Sequence, residues 1–468
     1  MISFGIDFGT TNTAVVECLF TDHGVSATRC GENNLPFPSL VALHPEKPPL
    51  FGTEVKKRRR QLKTEGYTVI SSFKSILGKK ERISVVGGSY SPIDVTALFL
   101  QYVKASVEQQ SGVEMKDAVI AIPVDFRPEQ RCALRDAARQ AGIAVRSFVS
   151  EPTAAYIHCR KELAGASNVA VFDWGGGTLD VSLISEEQGT IHELAIAGRS
   201  LGGNDIDEML ARHLHARVMQ EIGVPKAFED MTDIERDQII DRSEDAKKRL
   251  SVEDFAPVRL MKYGGKAMIR QSITLEEFQS LIARRVGDAV QVLNQALDKA
   301  NISLGQLDAV LMVGGSCEMR PIVNRMEEVC GGIVHRPDNI QWTVAGGAAF
   351  LAGKRPVYRL QHDFGVLLAD GSVYPIFEAG QAIPCDAPEL SFGVVEDTTN
   401  AVFILADDQK NELKRIVVPI KGFTAEGLRL RASIDDDMIA HVEIKSTYAE
   451  KMGQRTDINQ LEFTYCIE

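Results

Sequence analysis

The sequence predicts a two-lobed α/β domain followed by a C-terminal all-β sandwich domain. Residues 2–19 and residues 168–184 each contain an apolar strand, a turn of glycine and hydroxyl residues, and a second apolar strand. This internal similarity predicts two halves that are built alike and face each other. After residue 355 only strand patterns follow. A chain of 468 residues also exceeds what one hydrophobic core supports, which favours at least two folding units.

The stretch between and after the two hairpins alternates helices with buried strands. Helical periodicity covers 94–111 and 128–141, and the apolar run AVIAIP lies between them at 118–123. A predominantly helical stretch, charged in its middle, is expected from about 204 to 300, before another buried strand, AVLMVGG, at 309–315. Such alternation predicts mixed sheets with helices packed on their faces.

The last part of the chain predicts a separate β domain. Strand patterns occur at 401–406, 415–420 and 428–434, and in the last of these the alternating residues Leu428, Leu430, Ala432 and Ile434 share one face. Asp435 to Asp437 form a predicted turn, and QLEFTYCI is expected as a final strand. We therefore place an α/β domain at 1–355, a linker at 356–363 and a β-sandwich at 364–468.

Composition narrows the classes of partner. The chain is 44% hydrophobic and 25% charged, which is typical of a packed protein, and its net charge of -12 disfavours attraction to nucleic acid or an anionic membrane. The basic run from Lys56 to Arg60 is interpreted as a solvated helix face without function. The eight cysteines form no Cys-x-x-Cys pair and are expected to be reduced core residues. With no signal-peptide pattern and no apolar run of membrane-spanning length, we expect a cytoplasmic protein.

The two glycine turns predict phosphate binding. Without a Cβ, Gly9 and Gly175 to Gly177 let backbone N–H groups approach an oxyanion closely, and Thr10, Thr11 and Thr178 add hydroxyl donors. Each turn alone is equally consistent with a tight β-turn. Their pairing in two similar segments favours a shared phosphate site.

Three aspartates flank these turns and predict a metal. Asp7 precedes the first turn, and Asp173 and Asp180 lie on either side of the second. At a separation of ~7 Å and an effective dielectric constant of ~20, each pair of carboxylates repels by roughly 2 kcal/mol, so a cation is needed between them. Mg²⁺ suits this set, because it is usually held by a few carboxylates, waters and substrate phosphates. The alternative is that each aspartate merely caps a turn.

These segments resemble the seventy-kilodalton heat-shock chaperone family, within the actin and sugar-kinase ATPase superfamily. IDFGTTNT (6–13) and VFDWGGGTLDVS (171–182) are similar to its two phosphate motifs, and AVIAIPVDF (118–126) to its first connecting motif. VSEPTAAY (149–156), LGGNDID (201–207) and VGGS (313–316) match as well. The resemblance covers nearly the whole chain and implies an actin-like ATPase domain, ATP or ADP with Mg²⁺, and room for K⁺.

The resemblance also implies residue roles. Lys74 matches the family's catalytic lysine, and Glu151 matches the glutamate that lies across from it. Asp7 and Asp173 complete the implied catalytic set. Asp7, Asp173 and Asp180 would hold Mg²⁺, mostly through its waters. Pro123 and Arg131 match an interdomain relay, a proline switch and its surface arginine. Nucleotide contacts are implied for Gly9, Thr10, Thr11, Asn12, Gly175, Gly176, Gly177, Thr178, Gly202, Gly203, Gly314, Gly315 and Ser316, and, on the helix EDAKKRLS (244–251), for Glu244, Lys247, Lys248 and Ser251.

The sequence departs from the family pattern at several places. Lys248 and Glu318 occupy the positions of the two arginines that sandwich adenine, with Arg320 nearby as a substitute. The linker PVYRLQHD offers fewer apolar residues than the family's leucine-rich linker, and Ser147 and Ser150 stand where the family has Arg and Asn near its J-domain contact. These departures put nucleotide affinity, interdomain coupling and the partnership with J-domain cochaperones in question.

The resemblance implies an ATP-dependent chaperone whose partners are unfolded or extended polypeptides, a J-domain cochaperone and a nucleotide-exchange factor. No segment resembles the family's helical lid, so we expect micromolar or weaker affinity for extended apolar peptides and fast release. Three alternatives remain open at this point: a peptide-binding switch with very slow ATP turnover, a small-molecule kinase of the same superfamily, and an actin-like scaffold.

Overall fold

The computed structural model describes residues 1–124, 126–354, 357–393, 399–420, 427–446, 453–459, 461 and 463–466. The expected domain boundary at residues 355 and 356, residue 125 of the first connecting motif, and residues 460, 462 and 467 of the expected last strand lie outside this part. The helices are α1 (Gly52–Thr64), α2 (Pro92–Ser111), α3 (Pro128–Gln140), α4 (Glu151–Cys159), α5 (Gly203–Ile222), α6 (Asp233–Leu250), α7 (Leu275–Ala300), α8 (Arg320–Cys330) and α9 (Thr343–Lys354).

Strands alternate with these helices, as the sequence predicts. The two expected hairpins form between β1 and β2 and between β12 and β13. The strands of this part are β1 (Ile2–Phe8), β2 (Asn12–Thr21), β3 (Gly24–Cys30), β4 (Phe37–Pro38), β5 (Leu40–Leu43), β6 (Leu50–Phe51), β7 (Thr68–Ser71), β8 (Ile83–Val85), β9 (Gly88–Tyr90), β10 (Asp117–Ile122), β11 (Ala144–Ser150), β12 (Asn168–Trp174), β13 (Leu179–Glu187), β14 (Thr190–Arg199), β15 (Phe255–Tyr263), β16 (Lys266–Thr274), β17 (Ala309–Val313) and β18 (Val334–His335).

Two large mixed sheets share one strand pattern. The first sheet has the strand order β11-β10-β1-β2-β3. The second contains the order β18-β17-β12-β13-β14, in which each strand corresponds by position to a strand of the first sheet. In each sheet the first strand of the hairpin pairs in parallel with a later strand and antiparallel with its hairpin partner. The two glycine turns, which connect β1 to β2 and β12 to β13, therefore lie at equivalent positions in two sheets of the same topology. The internal similarity of the sequence thus corresponds to a repeated strand topology.

The stretch from 204 to 300 departs from the sequence-based expectation. Between α6 and α7, β15 and β16 form an antiparallel hairpin in place of continuous helix. Its local pattern explains this: Ala256, Val258 and Leu260 alternate on one buried face, and Gly264 and Gly265 make the turn with positive φ angles of 57° and 79°. This alternation is visible in the sequence, but it lies between two strongly helical segments, so the whole stretch was predicted as mainly helical.

The C-terminal part is rich in strands, as predicted. Two antiparallel sheets, β21-β20-β24-β25 and β22-β26-β27-β28 with β23 beside β26, share one hydrophobic cluster. Leu428, Leu430, Ala432 and Ile434 all point into that cluster. The strands are β19 (Val357–Leu360), β20 (Phe364–Leu367), β21 (Val373–Phe377), β22 (Cys385–Asp386), β23 (Leu390–Gly393), β24 (Asn400–Asp407), β25 (Glu412–Pro419), β26 (Gly427–Ile434), β27 (Ala440–Ser446), β28 (Gln454–Ile458) and β29 (Phe463–Cys466).

The segment expected as a linker is a strand in the structure. β19 pairs antiparallel with β29, and β29 pairs with β14, so both extend the second mixed sheet. Tyr358 of β19 is buried, and its hydroxyl donates a hydrogen bond to the carbonyl of Phe148 in β11. Burial raises the pKa of Tyr358 well above its usual range. The few apolar residues of this segment are thus enough to anchor it between the two mixed sheets.

A second contact joins the β-rich part to the α/β part. The turn between β26 and β27 places Asp437 against α3, where the guanidinium of Arg135 donates to its carboxylate at 2.7 Å through Nε. Arg135 also donates to the carbonyl of Val145 at 2.8 Å and lies over the ring of Phe148 at 5.2 Å. Because Asp437 is buried, this ion pair is less screened than a surface pair.

The expected reduced core cysteines are only partly confirmed. Cys18, Cys30, Cys159 and Cys317 are buried free thiols, whereas Cys132 is exposed and Cys330 and Cys385 are half-buried. Among the helices of the described residues, none combines the length and the apolar character needed to cross a bilayer.

Candidate functional site

The two glycine turns lie against each other. A Cβ on Gly176 would lie 2.5 Å from Oγ1 of Thr11, so only glycine allows this approach of the second turn to the first. Ser39 supports the first turn, because its Oγ donates to the carbonyl of Gly9 at 2.8 Å and its N–H to the carbonyl of Thr11 at 2.8 Å. The pairing of turns expected from the internal similarity is therefore present in space.

The second turn rests on the start of α5 and on the loop after β17. The N–H of Gly203 donates to the carbonyl of Gly175 at 3.0 Å, and the N–H of Asn204 to that of Gly176 at 2.8 Å. The hydroxyl of Ser316 donates to the carbonyl of Gly175 at 2.9 Å. These three segments, which the sequence assigns to one nucleotide site, form one hydrogen-bonded cradle.

The three aspartates converge beneath these turns. Asp173 pairs with Asp180 across β12 and β13, and Asp7 occupies the equivalent position in β1. Burial raises the pKa of Asp7 to about 7, with Glu151 adding to the rise and Lys74 opposing it. The pKa of Asp173 is also raised by burial, and then by the negative charges of Glu151, Asp7 and Asp180. Such a cluster favours a bound cation.

A buried ion pair lies beside the acids. Nζ of Lys74 is 2.9 Å from Oε1 of Glu151, the first residue of α4. Lys74 sits in a single 3₁₀ turn at Phe73–Ile76, and its ammonium lies 5.9 Å from the ring centroid of Phe8 and 5.8 Å from that of Phe126. The rings shield the pair from water, while Glu151 compensates the lysine charge.

Lys247, an expected adenosine contact, lies beside the cradle. It is buried, and its ammonium donates to the carbonyl of Gly203 at 2.9 Å and to Oδ2 of Asp207 at 2.8 Å. Burial raises the pKa of Asp207 to about 6, and the nearby charge of Lys247 moderates that rise. Ser251, one turn further along α6, donates to the carbonyl of Lys247 at 3.4 Å. Lys247 therefore ties α6 to the cradle.

Glu244 lies at a crossing between α6 and α1. Its carboxylate is 2.5 Å from Nζ of Lys248 and 3.2 Å from Nζ of Lys56. Although burial alone would raise the pKa of Glu244, the two lysines lower it to about 2. Lys56 belongs to the basic run that the sequence suggested was without function. No local pattern marks it, since the contact joins residues 188 positions apart.

The side chains at the expected adenine sandwich lie at the surface, where Lys248 pairs with Glu244. Lys248 and Glu318 are both exposed. Arg320 is engaged elsewhere: it donates to the carbonyl of Leu250 at 2.9 Å, to Asp254 at 2.7 Å, and to the carbonyl of Glu253. Its guanidinium thus closes the turn after α6, so the expectation that it replaces a stacking arginine gains no support from these contacts.

Of the two relay residues, Pro123 lies in the segment before α3 and Arg131 lies in the first turn of α3. The carbonyl of Pro123 accepts the N–H of Phe126 at 3.1 Å, and the ring of Phe126 faces Lys74. Arg131 was expected at the surface, but it is 8% exposed. The reason is helical spacing, because Arg131 shares a face of α3 with the buried residues Leu134 and Ala138.

The remaining predicted residues lie in or next to the loops that form the site. Gly314, with φ of 81°, brings the end of β17 so close that a Cβ would lie 2.5 Å from Oδ1 of Asp173. Gly202 opens α5, and its N–H donates to Asp205 at 2.6 Å. Gly315 begins the 3₁₀ turn Gly315–Glu318. The predicted residues in the loops or at strand starts beside these are Thr10, Asn12, Gly177 and Thr178.

The comparison with family models agrees with this geometry. The model described as Hsp70 protein matches residues 80–370, which is more than half of the chain. The match begins after Lys74 and includes Glu151, Asp173, the cradle and α6. This chain belongs to the Hsp70 family and is a chaperone of the Hsp70 type.

Proposed function

We propose that the chain binds ATP with Mg²⁺ in the cleft between its two mixed sheets, hydrolyses it, and thereby controls the binding of extended polypeptides. The observation that carries this proposal is the approach of Gly176 to Thr11 above the cluster of Asp7, Asp173 and Asp180. The glycines of the two turns let backbone N–H groups approach the phosphates of a nucleotide. The carboxylates of the three aspartates suit the Mg²⁺ that accompanies those phosphates.

The donor set fits this ligand. Carboxylates and water are the ligands that Mg²⁺ prefers. Burial raises the pKa of Asp7 and of Asp173, with neighbouring carboxylates adding to the rise, and a cation between them would favour their ionised forms. Asp7, Asp173 and Asp180 would hold the ion, largely through its waters. When bound, Mg²⁺ would neutralise phosphate charge and lower the cost of transferring the terminal phosphoryl group. K⁺ remains a proposed accompanying ion on the strength of the family alone.

The protein's own groups supply positioning and charge. Lys74 would donate to an oxygen of the terminal phosphate, and Glu151 fixes the direction of its ammonium at 2.9 Å. Backbone N–H groups of the two turns would bind the remaining phosphate oxygens. Asp173 and Glu151 would accept hydrogen bonds from the attacking water and orient it. Phosphoryl transfer requires little else from a protein.

The four α6 residues expected to contact adenosine are assigned two different roles. Lys247 is buried under Gly203 and acts on the cradle, so we assign it a positioning role. Glu244 and Ser251 line the outward side of α6 and remain the proposed ribose contacts. Lys248 holds Glu244 in place. The J-domain cochaperone and exchange factor remain proposed partners on the strength of the family alone.

A slow-turnover switch is the second candidate. The exposure of Lys248 and Glu318, together with the engagement of Arg320 at the turn after α6, favours weak adenine binding. Weak binding and slow chemistry would leave the protein as a nucleotide-gated peptide binder. The measured turnover number separates the two candidates.

Phosphate release with purified full-length protein tests the proposed function. We expect ATP-dependent release that EDTA abolishes, Mg²⁺ restores and an extended apolar peptide stimulates. A requirement for a small metabolite would instead indicate a kinase. Absence of Mg²⁺-dependent binding of adenine nucleotides by calorimetry would overturn the proposal.

A further inference from the structure

Three metal-ligand side chains meet away from the nucleotide cleft, where the end of α4 faces β18. They are Cys159, the last residue of α4, Glu162 in the following turn, and His335 in β18. One donor atom from each, a sulfur, a carboxylate oxygen and an imidazole nitrogen, lies within 4.8 Å of the other two. We call these three residues the α4–β18 triad.

The backbone explains why the three side chains converge. Cys159 and Glu162 are three residues apart, and the N–H of Glu162 donates to the carbonyl of Cys159 at 2.9 Å, so the helical turn continues and both project from one face. His335 is fixed by the pairing of β18 with β17. Its Nε2 already lies 2.9 Å from Oε2 of Glu162.

The donor types favour zinc-like ions over Mg²⁺ or Ca²⁺. Thiolate, imidazole and carboxylate are the ligands of Zn²⁺, at about 2.0–2.3 Å, whereas Mg²⁺ and Ca²⁺ prefer oxygen alone. Ligands around a tetrahedral zinc lie about 3.3–3.8 Å apart, as follows from those bond lengths. Donors that already lie within 4.8 Å need to close by about 1 Å.

Burial is graded across the triad. Cys159 is fully buried, the side chain of His335 is 28% exposed, and that of Glu162 is 59% exposed. An ion can therefore enter from the Glu162 side and keep a water as its fourth ligand.

We propose that Cys159, Glu162 and His335 bind a divalent ion of the zinc class. The ion links α4 to the edge strand of the second mixed sheet. Because α4 begins with Glu151, the link would restrain the helix that positions the Lys74 ion pair. The structural alternative is a plain hydrogen bond between His335 and Glu162 beside a buried thiol.

Cobalt absorbance tests the proposal directly, with nucleotide-free full-length protein titrated with CoCl₂. We expect a thiolate-to-cobalt charge-transfer band in the near ultraviolet, together with d–d bands of four-coordinate cobalt. Stoichiometric ZnCl₂ should abolish both. The thiolate band reports only on cysteine, so binding of cobalt to the aspartates of the nucleotide cleft does not produce it.

Four variants assign the band. Cys159→Ser should eliminate it, and His335→Gln should weaken zinc affinity at least about 100-fold, since even a residue that only orients a ligand contributes about 10–100-fold. Cys132→Ser, at an exposed cysteine, and His213→Gln, at a half-buried histidine of α5, should leave band and affinity unchanged. A band lost equally in Cys132→Ser, or retained in Cys159→Ser, overturns the proposal.

Thermal unfolding gives a second measurement, because the zinc-induced change in Tm is compared within each protein and so does not require the variants to be equally stable. Zinc should raise the Tm of the wild-type protein and of His213→Gln, but not that of His335→Gln, whose side chain is 28% exposed and therefore tolerates substitution better than the buried Cys159. Equal zinc-induced shifts in the wild-type protein and His335→Gln would place the ion elsewhere.

Discussion

The ammonium of Lys74 lies 2.9 Å from the carboxylate of Glu151, although 77 positions separate the two residues in the chain. Both belong to short elements, a single 3₁₀ turn and the first turn of α4. Asp7 and Asp173 sense both charges, because Glu151 raises their pKa values and Lys74 lowers them. Both charges therefore act on the acid cluster in addition to burial, which is the largest cause of the two pKa shifts.

Lys74→Ala should reduce ATP turnover by about 100-fold or more, which is the typical loss on removing one transition-state donor. Nucleotide affinity should change little, because the cradle and the cation supply most of the ground-state contacts. Single-turnover phosphate release and calorimetric titration measure the two effects separately. Lys79→Ala, at an exposed lysine a few residues later, is the matched control and should retain full turnover. An unchanged rate in Lys74→Ala would remove this residue from the mechanism.

Gly176→Ala should impair nucleotide binding for a steric reason. Its Cβ would lie 2.5 Å from Oγ1 of Thr11, so either the Thr11 side chain or the two turns would have to shift. We expect ATP affinity to fall at least about 10-fold, which corresponds to 1.4 kcal/mol of binding free energy. Gly287→Ala, on α7 where a Cβ meets no atom within 4 Å, is the control and should preserve ATP affinity. Equal affinities in the two variants would show that the turns do not form a shared site.

Local patterns sufficed where a structural element depends on its own residues. The two hairpins, the buried strand at β10, and the alternating face of β26 follow from periods of two and from glycine turns. The carboxylate cluster was also predictable, because Asp7 and Asp173 occupy equivalent positions in repeated segments. In these cases the sequence around each residue contains the cause of its position.

Long-range contacts were not predictable from such patterns. Lys56 resembles any exposed lysine of a basic helix until α6 is placed beside it, and Lys247 is fully committed to Gly203 and Asp207 only in the folded chain. The pairing of β29 with β14 likewise joins distant segments with no complementary local pattern. Arg131 illustrates the opposite error, since its polarity suggested exposure while its helical position dictated burial.

Lys56→Ala should accelerate nucleotide release. The Lys56–Glu244 pair crosses from α1 to α6 at 3.2 Å, and its side chains are 44% and 25% exposed. Partly exposed pairs contribute about 0–1 kcal/mol, so we expect the release rate to rise by no more than about 5-fold, and less at high salt. Stopped-flow displacement of a fluorescent ADP analogue measures it. Lys57→Ala, at the adjacent exposed lysine, should release ADP at the wild-type rate. Acceleration by both variants alike would point to the net charge of α1 and not to this pair.

Asp7→Asn should change the pH dependence of stability, with a sign that depends on the ligand. In the nucleotide-free protein the pKa of Asp7 is raised from 3.8 to about 7, so the protonated carboxyl stabilises the fold below pH 4 and this contribution is lost as the pH rises through about 7. The variant has no charge to bury, so its free energy of unfolding at pH 8 should exceed that of the wild type by about 1–3 kcal/mol, given about 1.4 kcal/mol per pKa unit.

With saturating Mg²⁺ and ATP the order should reverse, because the cation favours the ionised carboxylate and Asp7→Asn binds it poorly. Denaturant unfolding from pH 5 to pH 8, with and without ligand, checks both halves. Asp22→Asn, at an exposed aspartate after β2, should follow the wild type under both conditions. If Asp7→Asn is the less stable protein without ligand at pH 8, the carboxylate is compensated by a group other than a cation.

Asp437→Ala should weaken communication between the β-rich part and the ATPase part. Asp437 accepts a hydrogen bond from Nε of Arg135 at 2.7 Å, and Nη2 lies 2.6 Å from the same carboxylate oxygen as an ion-pair contact. It is the carboxylate that β26 and β27 present to α3. Its loss should lower the ratio of peptide-stimulated to basal phosphate release toward one, while the basal rate stays within about 2-fold because α3 carries none of the proposed catalytic groups. Glu412→Ala, which breaks an ion pair with Arg415 inside the β-rich part, is the matched control and should keep the ratio.

A double-mutant cycle with Arg135→Ala separates this contact from the other roles of the arginine. Arg135 also donates to the carbonyl of Val145, so its single variant should be the more damaging to stability. In the double variant, the loss of peptide stimulation should equal that of Arg135→Ala alone, since the same contact is removed once. Strictly additive losses would mean that Arg135 and Asp437 act through different partners, and β19, where Tyr358 binds Phe148, would then be the next contact to test.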